Sequence, residues 1–165
     1  KAAADNVAPM FFSIGNHLGF AVPLVAGSSA EAFTVESPAR FEYLRGSNGA
    51  PDGTTRERRF APSTPLRDLK FMPAMSVGAY EGDPWFRLTD ASGLGVKVSH
   101  HAPSTPPLPF VQFNLYGGTT EGFFCPEPFV GLHNSLNSQT GQIDLALGKR
   151  WTWLISVEPE RAAGR

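Results

Sequence analysis

An all-β sandwich of many short strands is the fold this sequence predicts, and three observations predict it. Nine runs rich in Phe, Val, Ile and Trp, many of them alternating apolar with polar residues, carry the period of strands. Most of the 17 glycines and 15 prolines fall between those runs, where turns need them. No segment sustains a helical period, and no unit recurs at a fixed interval.

In chain order the expected strands are "MFFSIGNHLGF" (10–20), "AFTVES" (32–37), "RFEYL" (40–44), "WFRLTD" (85–90), "GVKVSH" (95–100), "PFVQFNLY" (109–116), "GFFCPEPF" (122–129), "QIDLAL" (142–147) and "RWTWLISVE" (150–158). Turn chemistry separates them in "RGSNGAPDG", "APSTPPLP" and "LYGGTTEG". The Ser/Thr/Pro-rich "FAPSTPLRD" and "HAPSTPPLP" read as long surface loops, and "TTRERRF" as a solvated charged loop.

Composition narrows the function. The 165 residues are 41% hydrophobic and 18% charged, which suits one globular domain with a sizeable core. A net charge of -1 leaves no broad field to recruit nucleic acid or an anionic membrane, so recognition is expected from a local site. Cys125 is the sole cysteine, which excludes an intrachain disulfide and a cysteine-based zinc cluster. No stretch approaches about 18 apolar residues, and "KAAADNVAPM" lacks a signal-peptide core. Cytoplasmic and periplasmic residence both stay open.

Two residues stand in unexpected company. His17 interrupts an apolar run, where an imidazole is either satisfied by its neighbours or delivered to a pocket for proton chemistry. Glu127 lies between Pro126 and Pro128 among aromatic residues, and a carboxylate there needs strong partners or a raised pKa. The prolines withdraw backbone donors, so the strand is expected to bulge or stop pairing and to aim the carboxylate outward. One imidazole and one desolvated carboxylate form an acid/base couple. His100 and His101, adjacent on a strand, face opposite ways and cannot easily share one metal ion. His133 follows in a polar turn close to the Glu127 segment. Arg56, Arg58 and Arg59 can grip a phosphate or carboxylate bidentately, or can be a solvated charged loop. A phosphate-binding glycine loop, HExxH and G-x-S-x-G are all missing, and no cofactor is called for.

"PMFFSIGNHLGF" resembles the histidine-bearing strand of the aldose 1-epimerase, or galactose mutarotase-like, family. "VQFNLYGGTTEGFFCPEPFVGLHNSLNSQTGQIDLALGKRWTWLISVE" is similar to that family's carboxyl-terminal stretch, with its Cys-x-Glu-Pro. Gly-Asn-His and Pro-Glu-Pro each occur by chance; their order and their separation of 110 positions, from 17 to 127, carry the likeness.

The resemblance implies a large antiparallel supersandwich and a sugar 1-epimerase without cofactor or metal, acting on an aldose or aldose phosphate. Glu127 would be the general base and His17 the general acid. Asn16, Gln112 and Asn114 would offer hydrogen bonds to hydroxyls, and Phe20 and Phe129 would stack on the sugar ring unless they are core. The family's substrate-binding aspartate has two candidates here, Asp68 and Asp52. Its members are about twice this length, so residues 1–165 correspond to the carboxyl-terminal half, and a second chain carrying the amino-terminal half is the expected partner. A non-catalytic carbohydrate-binding module and a lyase or hydrolase component are the alternatives on the same sandwich.

Overall fold

A computed structural model describes residues 5, 7–102, 111–139 and 141–161. Fourteen strands make up nearly all the regular structure of these residues: β1 (Met10–Phe12), β2 (Ile14–Gly15), β3 (Phe20–Ala21), β4 (Thr34–Ser37), β5 (Phe41–Arg45), β6 (Pro51–Glu57), β7 (Phe60–Pro65), β8 (Phe71–Gly78), β9 (Trp85–Thr89), β10 (Leu94–His101), β11 (Val111–Gly118), β12 (Phe123–Val130), β13 (Ile143–Leu145) and β14 (Leu154–Arg161). Five strands form one sheet in the order β14-β10-β9-β4-β7. Seven form the other: β2-β12-β11-β8-β5-β6, with β3 also on β12, and β1 pairs with β13 in a small third sheet. All the pairings are antiparallel.

Alternation along the strands builds the interior. Met75 and Val77 of β8, Phe113 and Leu115 of β11 and Phe124 of β12 point to one side of the seven-stranded sheet. They meet Val35, Phe86, Leu88 and Val98 from the five-stranded sheet in one buried cluster. Phe86 is the junction: its ring lies 5.2 Å from Phe60, 5.7 Å from Phe113 and 6.0 Å from Phe124. These inclined aromatic pairs add to the area they bury.

The first expected strand, residues 10–20, is broken into three. β2 pairs Gly15 with Phe129, β3 pairs Phe20 with Phe124, and residues 16–19 leave the ladder between them. The cause is on β12. The Asn16 N–H donates to the Pro128 carbonyl at 3.1 Å, so the peptide edge of Pro128 faces this segment, and a proline offers no N–H in return. β12 itself stays paired with β11 throughout, from Phe123 to Val130. The disruption expected at the prolines thus falls on the partner strand.

Three strands were not expected. β6 spans the end of the segment read as a turn, 51–53, and the start of the one read as a charged loop, 54–57; it is an edge strand, exposed along almost its whole length, with no apolar face for a sequence to advertise. β7, read as a surface loop, is the edge of the other sheet. β8 is interior, and Pro73 masked its inward alternation. The loop expected over 101–109 lies, from residue 103 on, outside the described residues.

Two local devices carry predictions. At the bulge between Leu115 and Gly117, Gly117 has φ +94°, and a Cβ there would strike the carbonyl oxygen of Phe123. Gly117→Ala should therefore destabilise the protein by at least about 1–2 kcal/mol, read as a lower denaturant midpoint with unchanged slope. Asp90 clamps the segment after β3, accepting from the Leu24 amide at 2.9 Å, the Ser28 hydroxyl at 2.6 Å and the Ser92 amide at 2.7 Å. Burial opposes its ionisation, yet the hydrogen bonds from Ser28, Ser92 and Val25 prevail and bring its pKa down to about 2. A carboxylate depressed in the folded state stabilises it above the unfolded pKa of about 3.9 and loses that contribution as pH falls toward 2. Asp90→Asn should flatten the stability profile between those values in thermal melts at stepped pH.

Candidate active site

The face of the seven-stranded sheet turned away from the core carries the other half of each alternation. On β12 it presents Cys125, Glu127 and Phe129, and on β11 Gln112, Asn114 and Tyr116. Register then builds a row across four strands: Glu127 is opposite Asn114, Asn114 opposite Ser76 of β8, and Ser76 opposite Tyr43 of β5.

From Glu127 to Ser76 the row is hydrogen-bonded. Asn114 Nδ2 donates to Glu127 Oε2 at 3.0 Å, while Ser76 Oγ donates to Asn114 Oδ1 at 3.1 Å. Arg45 Nη2 reaches both Asn114 Oδ1 and Ser76 Oγ at 3.2 Å. That guanidinium is anchored in turn by the carbonyls of Ala74 and Gly49, at 3.0 and 2.8 Å. With its Oδ1 held by two donors, the Asn114 amide can only turn its Nδ2 toward Glu127, which fixes one oxygen of the carboxylate.

The other oxygen meets His17. Its Nε2 lies 3.0 Å from Glu127 Oε1, joining a side chain 68% exposed to one only 7% exposed. Residues 16–19, released from the ladder, supply this approach, and the Asn16 amide on the Pro128 carbonyl pins its start. Just before it, a Cβ on Gly15 would run into the Phe129 ring, so a side chain there would have to displace that ring. The Phe129 ring rests 5.1 Å from His133, whose pKa is lowered by burial and by the Arg45 charge. Cys125 is also buried, and burial together with the neighbouring Glu127 raises its thiol pKa.

The structure thus brings together His17, Glu127, Asn114, Asn16 and Phe129. Gln112 shares their face, where its buried Nε2 donates to the Gly131 carbonyl at 2.8 Å. Phe20, the other expected stacking residue, packs against the interior cluster: its register opposite Phe124 turns it toward the core. Asp68 ends a 3-10 turn, Leu66–Asp68, leading into β8, exposed and 3.7 Å from Arg67. Asp52 holds its own turn through Thr54. Arg56 and Arg59 are engaged by Glu42 and Glu57, and Arg58 lies over Phe60. His100 is buried, accepting from Trp153 Nε1 at 3.2 Å, with burial lowering its pKa to about 4, while exposed His101 meets Asp83 at 2.8 Å. Arg45 and Ser76 were not anticipated as site residues. Only the neighbouring strands' register brings them to Asn114, and β8 was not foreseen.

No protein-family model matches this sequence, and no curated protein matches it. Solved structures do match its fold. A galactose mutarotase-related enzyme of Lactobacillus acidophilus superposes with a TM-score of 0.68 at 18% identity, over 94% of this chain and 54% of that one. A galactose mutarotase-like protein of Clostridium acetobutylicum gives 0.66 at 19% identity, over 93% and 49%. A candidate aldose 1-epimerase of Escherichia coli K12 gives 0.63 at 17% identity, over 94% and 53%. The chain has the galactose mutarotase-like sandwich fold and spans about half the length of these structures.

Proposed function

We propose that this chain carries the acid/base half-site of a sugar 1-epimerase, which interconverts the α and β anomers of an aldose or aldose phosphate by opening its ring. The observation that carries the reading is the contact of His17 Nε2 with Glu127 Oε1 at 3.0 Å, on a carboxylate whose second oxygen Asn114 already holds. The two oxygens that exchange protons in mutarotation, the anomeric hydroxyl and the ring oxygen, share one carbon. An acid and a base serving them must therefore stand side by side, as these do.

In this mechanism Glu127 takes the proton of the anomeric hydroxyl while His17 gives one to the ring oxygen. The bond from the anomeric carbon to the ring oxygen breaks, leaving an open-chain aldehyde and a hydroxyl. After rotation about the adjacent carbon–carbon bond, His17 takes the hydroxyl proton back as that oxygen attacks the other face of the carbonyl. Glu127 returns its proton to the carbonyl oxygen, so protons balance and no electron pair leaves the sugar. Phe129 supplies an apolar platform and Asn16 offers its amide to hydroxyls, while buried Asn114 and Gln112 hold Glu127 and the Gly131 carbonyl from behind.

Completion of the sandwich by an amino-terminal half on a second chain belongs to the same proposal. The half-length match to the solved structures supports it, as do Leu154 and Val157, exposed on the edge strand β14.

Exchange spectroscopy by NMR over a panel of aldoses and aldose phosphates tests the function. The chain, with its completing half where required, should speed anomer exchange, and His17→Gln should slow it by about 10²–10⁴-fold. Sugar binding without accelerated exchange would make it a carbohydrate-binding module instead. Cleavage of oligosaccharides would point to a lyase or hydrolase.

A further inference from the structure

Cys125 takes no part in that mechanism, yet it shares the face of β12 with Glu127, two residues away. The imidazole of His17, the thiol of Cys125 and the carboxylate of Glu127 each offer one ligand atom, and these three atoms all lie within 4.8 Å of one another. We propose that they form an inhibitory site for a zinc-like divalent cation, which on binding takes the acid and the base out of service.

The donor set is the chemical argument. Nitrogen, thiolate sulfur and carboxylate oxygen all suit zinc, with bonds of about 2.0–2.3 Å that set donors roughly 3.3–3.8 Å apart around a tetrahedral ion. The present spacing needs only a small contraction about the ion and a slight opening of the His17–Glu127 contact. Cys125 and Glu127 are fixed by a strand paired along its whole length, and the segment carrying His17 is off the ladder, so the mobile donor is the one that must adjust.

The surroundings already orient the ligands. Asn114 Nδ2 occupies Glu127 Oε2, which leaves Oε1 as the oxygen facing His17, in the manner of the outer partners that aim metal-binding carboxylates. Gly19 is the residue against the sulfur: a Cβ there would lie 3.3 Å from Cys125 Sγ, so no side chain from that position covers the thiol. The His17 side chain is 68% exposed, so a fourth, water-bound position would lie on its side of the ion. Binding breaks the thiol S–H bond, releases the proton to solvent and forms a metal–sulfur bond, with no change of oxidation state.

Binding stands on geometry alone, whereas its inhibitory consequence rests on the epimerase reading. Titration of the metal-free protein with Co²⁺, and separately with Cd²⁺, reads binding through thiolate-to-metal charge-transfer absorption. A saturable band at one equivalent is expected. It should vanish in Cys125→Ser and move to at least about tenfold higher metal concentration in His17→Gln. Absence of the band, or a band that His17→Gln leaves in place, overturns the site. Should the buried serine unfold the protein in circular dichroism, the exposed His17→Gln variant carries the test by itself. In the exchange assay Zn²⁺ should stop anomer interconversion and a chelator restore it; undiminished exchange at saturating Zn²⁺ overturns the inhibition. A metal-binding protein without exchange activity on any sugar would retain the site while the epimerase reading falls.

Discussion

Glu127→Gln should lower anomer interconversion by about 10²–10⁴-fold and leave the fold in place. The two side chains have the same shape, so the well-packed position next to Pro126 and Pro128 is filled as before. The glutamine carbonyl can still accept from Asn114 Nδ2, which keeps the row to Ser76 and Arg45 intact. What disappears is the capacity to take a proton from a sugar hydroxyl. The amide nitrogen now opposite His17 is a donor, so the contact at 3.0 Å survives only if the imidazole presents a bare nitrogen to it. Exchange rates by NMR and a thermal melt on the same sample check the two halves of the expectation. An unchanged rate would remove Glu127 from the mechanism, and a collapsed melt would show the carboxylate to be structural.

Phe86→Ala should be the most damaging core truncation, at about 3–5 kcal/mol. The ring is fully buried and touches Phe60 in its own sheet and both Phe113 and Phe124 in the facing one. Its removal opens a cavity between the two layers that β strands cannot easily close, since each is held in register by its neighbours. Against a typical total of 5–15 kcal/mol this is a large share, and for a chain of this size it lowers the melting temperature by roughly 6–20 °C. The matched control is Phe11→Ala. That ring is 57% exposed, and its loss should change stability by no more than about 0.5 kcal/mol.

The pair proposed as acid and base was legible because both members violate the rule of their surroundings. An imidazole inside an apolar run and a carboxylate between two prolines are conspicuous in one dimension. So was the inward face of β11: the order Gln112, Phe113, Asn114, Leu115 separates polar from apolar by strict alternation. β6 and β7 were illegible for the opposite reason. Edge strands owe their form to one neighbour's hydrogen bonds, and neither shows apolar alternation to betray it: β6 is exposed nearly throughout and β7 fully buries only Phe60. For Phe20 the sequence left stacking and core packing both open, because an aromatic near a histidine says nothing about the side from which it is packed; register opposite Phe124 turns it to the core.

The sequence alone determined the class of the fold and singled out two ionisable groups in unexpected places, because period, turn residues and ionisable side chains are local properties. The tertiary structure decided who stands beside whom. Register across β12, β11, β8 and β5 placed Asn114, Ser76 and Arg45 behind Glu127, and the missing proline donors freed residues 16–19 to bring His17 against it. Alternation tells which face a side chain takes; only hydrogen-bonded pairing between strands far apart in sequence sets its neighbour.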